Sequence, residues 1–241
     1  MKLQPIKLFN LLAGLSTELG FPVSKDMLKR FLKRLGYTFR RIRRVLKKTP
    51  DPIIYHQKLD ELTKLIALEK QNFLKIYFVD ESGFNETPCI PYGWQEKGAN
   101  LSIPSQKGRR CNVFGIMNSD NELYATTSEK SINTAFVISA VDAFADCPKR
   151  APRAVLVFDN AKIHHSELFK DKIPEWQDKG IEIFYLPTYS PHLNRIETLW
   201  RKCKYEWLVP NDYQSWKKLK DKIHHILNNF GTEFTIKFNN F

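Results

Sequence analysis

Apolar residues recur at helical spacing through residues 5–20 (PIKLFNLLAGLSTELG), and the pattern stops at Gly20. Phe21-Pro22-Val23 then forms a short turn, with Ser24 placed to cap a second helix, KDMLKRFLKRL. In that segment Leu28, Phe31, Leu32 and Leu35 fall on one face, Lys25, Lys29, Arg30, Lys33 and Arg34 fall away from it, and Gly36 ends it. A helix, a tight turn and a basic helix make a helix-turn-helix pattern. Thr49-Pro50-Asp51-Pro52 marks a boundary, and Leu59, Leu62, Leu65 and Ile66 predict a connecting helix over about 53–72.

From Leu74 the period changes. LKIYFVDESGF is a β-rich run with an expected turn at Gly83, and residues 109–128 divide into two strands around Ser119-Asp120-Asn121. Residues 133–145 have helical spacing, RAVLVFDNA is a buried strand, 166–179 is a helix and IEIFYLP is another strand. A helix over about 191–208 and an amphipathic helix, SWKKLKDKIHHILNNF, follow. An antiparallel start followed by strand–helix alternation implies an α/β fold with a mixed sheet flanked by helices. The expected organisation is a small all-α module over 1–50, a linker helix over 51–73 and an α/β domain over 74–241.

Charge sharpens this division. Residues 1–60 carry 14 Lys and Arg against 4 Asp and Glu, whereas the whole chain of 241 residues has a formal net charge of +12. Nearly all of the excess therefore sits in the helical module, as expected for a partner that is a polyanion such as nucleic acid. A solubilising surface would explain the total but not the asymmetry. The four cysteines, at 89, 111, 147 and 203, have neither zinc-finger nor redox spacing and read as reduced, packed thiols. Lys2 and Lys7 followed by LFNLLAGL have the outline of a signal peptide, but the apolar run is short, Asn10 interrupts it and no cleavage site follows. An amphipathic helix fits better, and no apolar stretch is long enough to span a membrane.

Two apolar runs end in aspartate, IYFVD at Asp80 and VLVFD at Asp159. A carboxylate after such a run is costly to bury without a partner or a metal. If the two strands are parallel neighbours, about 4.8 Å apart, both carboxylates leave the same end of the sheet, where open α/β sheets place their sites. Glu197 follows Leu193 by four and precedes Trp200 by three, which puts it on or beside the apolar face of its helix. Three such carboxylates could hold two Mg²⁺ (or Mn²⁺) ions about 3.5–4 Å apart and cut a phosphodiester bond. Spacing alone leaves open a turn-forming or capping Asp and a solvated Glu.

FVDESGF, PYGWQEKG, VFDNAKIH and LPTYSPHLNRIETLW occur in that order. Together they resemble the transposases of the Tc/mariner superfamily, most closely the bacterial insertion-sequence 630 family. The resemblance implies an RNase H-like catalytic domain with Asp80, Asp159 and Glu197 as its metal-binding catalytic triad. It also implies a winged-helix-like DNA-binding region at the N-terminus. The implied activity is cleavage at terminal inverted repeats of double-stranded DNA and strand transfer into TA sites by a homodimeric or larger synaptic assembly. The implied location is the cytoplasm, on the nucleoid of a prokaryotic host. A nuclease of the same fold, or a decayed copy that only binds DNA, would share the motifs.

Three features depart from the family pattern. Arg195 stands where proline is usual and would add charge near the metals. The 37 residues between Asp159 and Glu197 exceed the usual spacing, with SELFKDKIPEWQDKG as the expected surface insertion. The helix-turn-helix region is short, as for a partial copy or a separate reading frame.

Among other residues, Glu81 should point to the opposite strand face from Asp80. Glu81 is expected in a structural role or one that supports a metal ligand, Asn160 and His164 could orient substrate or a ligand carboxylate, and His164-His165 is otherwise a cap or core contact. Arg40, Arg41, Arg43 and Arg44 could track a groove, and Lys107, Arg109 and Arg110 could touch phosphates, as could the α-helical Lys25, Lys29, Arg30, Lys33 and Arg34. PYGW with Trp94 resembles the loop that in the family reaches across a dimer; Trp94 is otherwise a packed aromatic.

Overall fold

In the computed structural model, residues 8–36, 50–87 and 108–238 are described. Arg40, Arg41, Arg43, Arg44, Trp94 and Lys107 lie outside them. The chain forms two compact units, Met1–Lys47 and Lys48–Phe241.

In the first unit, helices α1 (Leu8–Leu19) and α2 (Lys25–Arg34) are separated by a turn in which Gly20 takes φ +69°. Ser24 Oγ accepts the Met27 N–H and so caps α2, as the sequence suggested. The apolar stripe of α2 is only partly covered. Leu28 is buried, but Phe31 and Leu35 are more than half exposed. Lys25, Lys29, Arg30, Lys33 and Arg34 are all exposed.

The second unit opens with α3 (Pro52–Lys70), whose N-terminus is capped by the Asp51 carboxylate with Pro52 in the first turn. Leu62 of α3 is buried in the main core, so this helix is part of the α/β unit rather than a free linker. The sheet has five strands in the order β3-β2-β1-β4-β5: β1 (Lys75–Asn85), β2 (Arg110–Asn118), β3 (Leu123–Ser128), β4 (Ala154–Phe158) and β5 (Ile181–Tyr185). β1, β2 and β3 are antiparallel, whereas β4 and β5 run parallel to β1. β1 does not turn at Gly83 but continues, paired with β2, to Asn85. The space above Gly83 is taken by the guanidinium end of the exposed Arg110 side chain.

Side-chain alternation along β1 sends Ile76, Phe78 and Phe84 to one layer and Tyr77 and Val79 to the other. The first layer holds α3, α6 (Ile196–Lys202) and α7 (Trp216–Asn228), and the second holds α4 (Thr134–Ala145) and α5 (Glu167–Asp178). α5 is not a surface insertion, because Phe169 and Trp176 are fully buried and the Trp176 indole donates to Asp142. The helix expected over 191–208 is broken into a 3₁₀ turn (Pro191–Leu193), the short α6 and a π-helical turn (Cys203–Trp207) closed by Leu208 N–H on Cys203 O. Among the described residues no helix is long and apolar enough to cross a membrane. Cys111 and Cys203 are buried free thiols, and burial pushes Cys203 up to about 12.

Candidate active site

The parallel pairing of β1 with β4 runs from Lys75↔Ala154 to Phe78↔Val157. Continuing that register by two residues brings Asp80 alongside Asp159. Asp80 lies mid-strand, but it lies just past the end of this parallel ladder, so both carboxylates emerge where β4 leaves the sheet. Glu197, on the first turn of α6, completes the arrangement. The three line one cleft of about 320 Å³, together with Asn160, Tyr189 and Asn194. The helix assignment of Glu197 holds, but its side chain is exposed rather than set into the apolar face.

Asp80 sits in the most constrained surroundings. Its Oδ2 accepts the Trp200 indole N–H at 3.0 Å. Opposite it in the β1–β2 register stands Gly115, where a Cβ would lie 2.9 Å from Trp200 Cη2 and 3.0 Å from Ile196 Cδ1. The absence of a side chain at Gly115 thus gives Trp200 room to reach Asp80. Burial, followed by repulsion from Glu197, Glu81 and Asp159, raises the Asp80 carboxyl well above its ordinary range. Glu197 is also raised, first by desolvation in the cleft and then by Asp159, against the pull of Lys204.

Asp159 goes the other way. Burial acts to raise it, but the His164 contact and the Ala161 N–H, 2.9 Å from Oδ1, outweigh burial and hold it below its ordinary value. His164 is buried, 1% exposed, against Phe158 and Phe169. Its Nε2 lies 3.2 Å from Glu81 Oε1 in a hydrogen bond, and its Nδ1 lies 3.1 Å from Asp159 Oδ1 in a charge contact that is not aligned as one. Burial lowers the His164 pKa, but the two carboxylates more than compensate and raise it to about 9. Glu81 does project to the opposite face from Asp80, towards the His164 side.

Asn160 fastens the end of β4 to the segment after β5. Its Nδ2 donates to Leu186 O, and its Oδ1 pairs with His165 Nε2 at 3.0 Å. His165 also stacks on Tyr185. The Arg195 side chain reaches the β2–β3 turn. Its Nη1 donates to Ser119 Oγ at 2.6 Å, and its guanidinium lies over Phe78 and Phe238, so it ties α6 to the β2–β3 turn. Arg109 is exposed but pairs with Glu86 and lies over the Trp216 ring, while Arg110 lies across Gly83.

Sequence reasoning missed three contributors to the cleft. Trp200 was legible as an aromatic three residues after Glu197, but its contact with Asp80 was not. Gly115 had no signal of its own, and Asn194 lay within the LNRIE motif without a role that the motif assigned to it. Among the described residues no three His, Cys, Asp or Glu side chains stand close enough together to form a ready-made metal cage.

A mixed sheet with this strand order, with carboxylates where its central parallel strands end, defines the class of fold. Over 97% of this chain it is shared with the Mos1 transposase in its paired-end complex with the left transposon end (TM-score 0.57, 15% identity, 75% of that chain). The Mos1 mariner paired end complex with Mn is similarly related (TM-score 0.58, 15% identity, 97% of this chain and 75% of that one). The fold is thus RNase H-like. Residues 75–220 match the DDE superfamily endonuclease model, and the chain belongs to that family. It is also 24% identical over 217 residues to the "Insertion element IS630 uncharacterized 39 kDa protein" of Shigella sonnei, covering 86% of this chain. The chain spans 60% of the length of that relative. These matches agree with the resemblance carried by the motifs.

Proposed function

We propose that this protein is a transposase that cuts DNA at the terminal inverted repeats of a mobile element and joins the ends to TA targets. The observation that carries this reading is the convergence of Asp80, Asp159 and Glu197 on one cleft of an RNase H-like sheet. The donor set fits Mg²⁺ or Mn²⁺: all three are hard oxygen ligands, and Asp80 and Glu197 are raised first by burial and then by neighbouring carboxylates, a cost that a bound cation would relieve. Asp80, Asp159 and Glu197 would hold two cations. When bound, the metal would lower the pKa of an attacking water or 3′-hydroxyl and neutralise charge on the leaving oxygen.

The chain's own residues would do the positioning. Trp200 fixes one oxygen of Asp80 and leaves the other for a ligand. His164, held by Glu81, orients Asp159 and keeps it ionised. Asn160 keeps the end of β4 against the cleft wall. The exposed Lys25, Lys29, Arg30, Lys33 and Arg34 of α2 would contact phosphates of the terminal repeat, and Arg109 and Arg110 would supply further phosphate contacts. A homodimeric or larger assembly would bring two ends together.

The test uses the full chain with duplexes carrying the inverted repeats that flank its gene, bounded by TA duplications. Nicking and strand transfer should require Mg²⁺ or Mn²⁺ and vanish in Asp80→Ala, Asp159→Ala and Glu197→Ala. Undiminished activity in chelator or in Asp80→Ala would refute the site. Cleavage without joined product would assign a nuclease, and binding without either reaction a DNA-binding protein.

A further inference from the structure

Asn194 lies three residues before Glu197 in the LNRIE motif, and the motif reading left it without a role. It is buried, 4% exposed, and forms part of the cleft wall. Its Nδ2 donates to Val79 O at 3.0 Å, one residue before Asp80 and one beyond the last parallel rung of β1 with β4. A buried carbonyl at that point needs a donor, and the side chain supplies it. The backbone carbonyl of Asn194 accepts the Glu197 N–H at 3.2 Å. One residue therefore joins the strand that carries the first carboxylate to the turn that carries the third.

The amide orientation is fixed by this contact, because only the NH₂ end can face a carbonyl. That leaves Oδ1 as a buried acceptor without a partner, on a residue that lines the cleft with the three carboxylates. An unpaired buried acceptor is costly, and such atoms mark places where a ligand or its water completes the bonding.

We infer that Asn194 is a positioning residue for the cation site: through its bonds to Val79 O and the Glu197 N–H it sets the separation of Asp80 and Glu197, and its unpaired Oδ1 is the acceptor that would be left for the ligand shell of a bound cation. This rests on the proposed metal-dependent reading of the cleft. It separates the role of Asn194 from that of Arg195 beside it, which points to the β2–β3 turn.

The experiment is Mn²⁺ titration of the full chain by calorimetry, well below the unfolding temperature, with circular dichroism to establish that each variant is folded. Asn194→Leu removes both polar ends at similar size, and its Mn²⁺ dissociation constant should rise roughly 10–100-fold, as for other residues that support metal ligands. If Asn194→Leu does not fold, Asn194→Ser, whose hydroxyl is too short to span both positions, should still weaken binding about tenfold. A folded variant that binds Mn²⁺ as tightly as the parent overturns the inference, even if it melts at a lower temperature. Asp80→Asn separates the two levels. If it loses Mn²⁺ while the Asn194 variants keep it, only the role of Asn194 falls. If Asp80→Asn itself binds normally, the cation site is elsewhere and the proposed function falls with it.

Discussion

Gly115→Ala tests the packing that brings Trp200 to Asp80. The new Cβ would sit 2.9 Å from Trp200 Cη2, 3.0 Å from Ile196 Cδ1 and 3.1 Å from Trp200 Cζ2. Both side chains, Trp200 and Ile196, are buried in the layer between α6 and the sheet, with Trp200 2% exposed, so the ring has little room to move. Overpacking of this kind costs about 1–3 kcal/mol. Replacing a strand glycine by alanine recovers about 0.5–1 kcal/mol of backbone entropy. The expected net loss is roughly 0.5–2 kcal/mol, or a few degrees in unfolding temperature for a unit of this size. The indole N–H should also shift from Asp80 Oδ2, weakening Mn²⁺ binding. Trp200→Phe removes the six-membered indole ring that the Cβ meets, so the double variant should be less destabilised than the sum of the singles, by about 0.5–3 kcal/mol of coupling. Denaturant unfolding of the four proteins measures this. A Gly115→Ala protein as stable as the parent, or strictly additive effects, would refute the proposed contact.

Three further outcomes follow from the site. The Asp80 carboxyl is raised in the folded chain, so its contribution to stability is fully present below the ordinary carboxylate range and is lost as pH rises through its folded pKa. Without divalent ions, the parent should therefore lose stability relative to Asp80→Asn as pH increases, and Mn²⁺ should restore it at neutral pH; parallel unfolding curves across pH would contradict this. His164→Ala leaves the Glu81 and Asp159 carboxylates without their shared imidazole and should destabilise the fold by roughly 1.5–3 kcal/mol while raising the Asp159 pKa, which NMR titration can follow. In the helical unit, neutralising a phosphate-contacting residue such as Arg30 or Lys33 should reduce the slope of log binding constant against log salt by about 0.9 each. An unchanged slope would remove that residue from the interface.

The sequence by itself determined the order and type of the elements in the α/β unit, because burial imposes period two on strands and 3.6 on helices. It also marked Asp80 and Asp159, since a carboxylate at the end of an apolar run is conspicuous whatever the fold, and the motif around Asn194-Arg195-Ile196-Glu197 marked the third. What it could not contain was direction. Arg195 and Asn194 are adjacent in the chain, yet one side chain ends on Ser119 and the other on Val79. The surface insertion expected between the last two carboxylates became a core helix because Phe169 and Trp176 found apolar partners on the sheet. The helix over 191–208 broke on either side of α6, at the Pro191–Leu193 turn and the Cys203–Trp207 π turn, and left Glu197 and Trp200 together on the short helix between them. The Asp80–Trp200 contact depends on an empty position at Gly115, on a different strand 35 residues away. Such contacts are set by which surfaces meet when the sheet closes, and only the tertiary structure decides that.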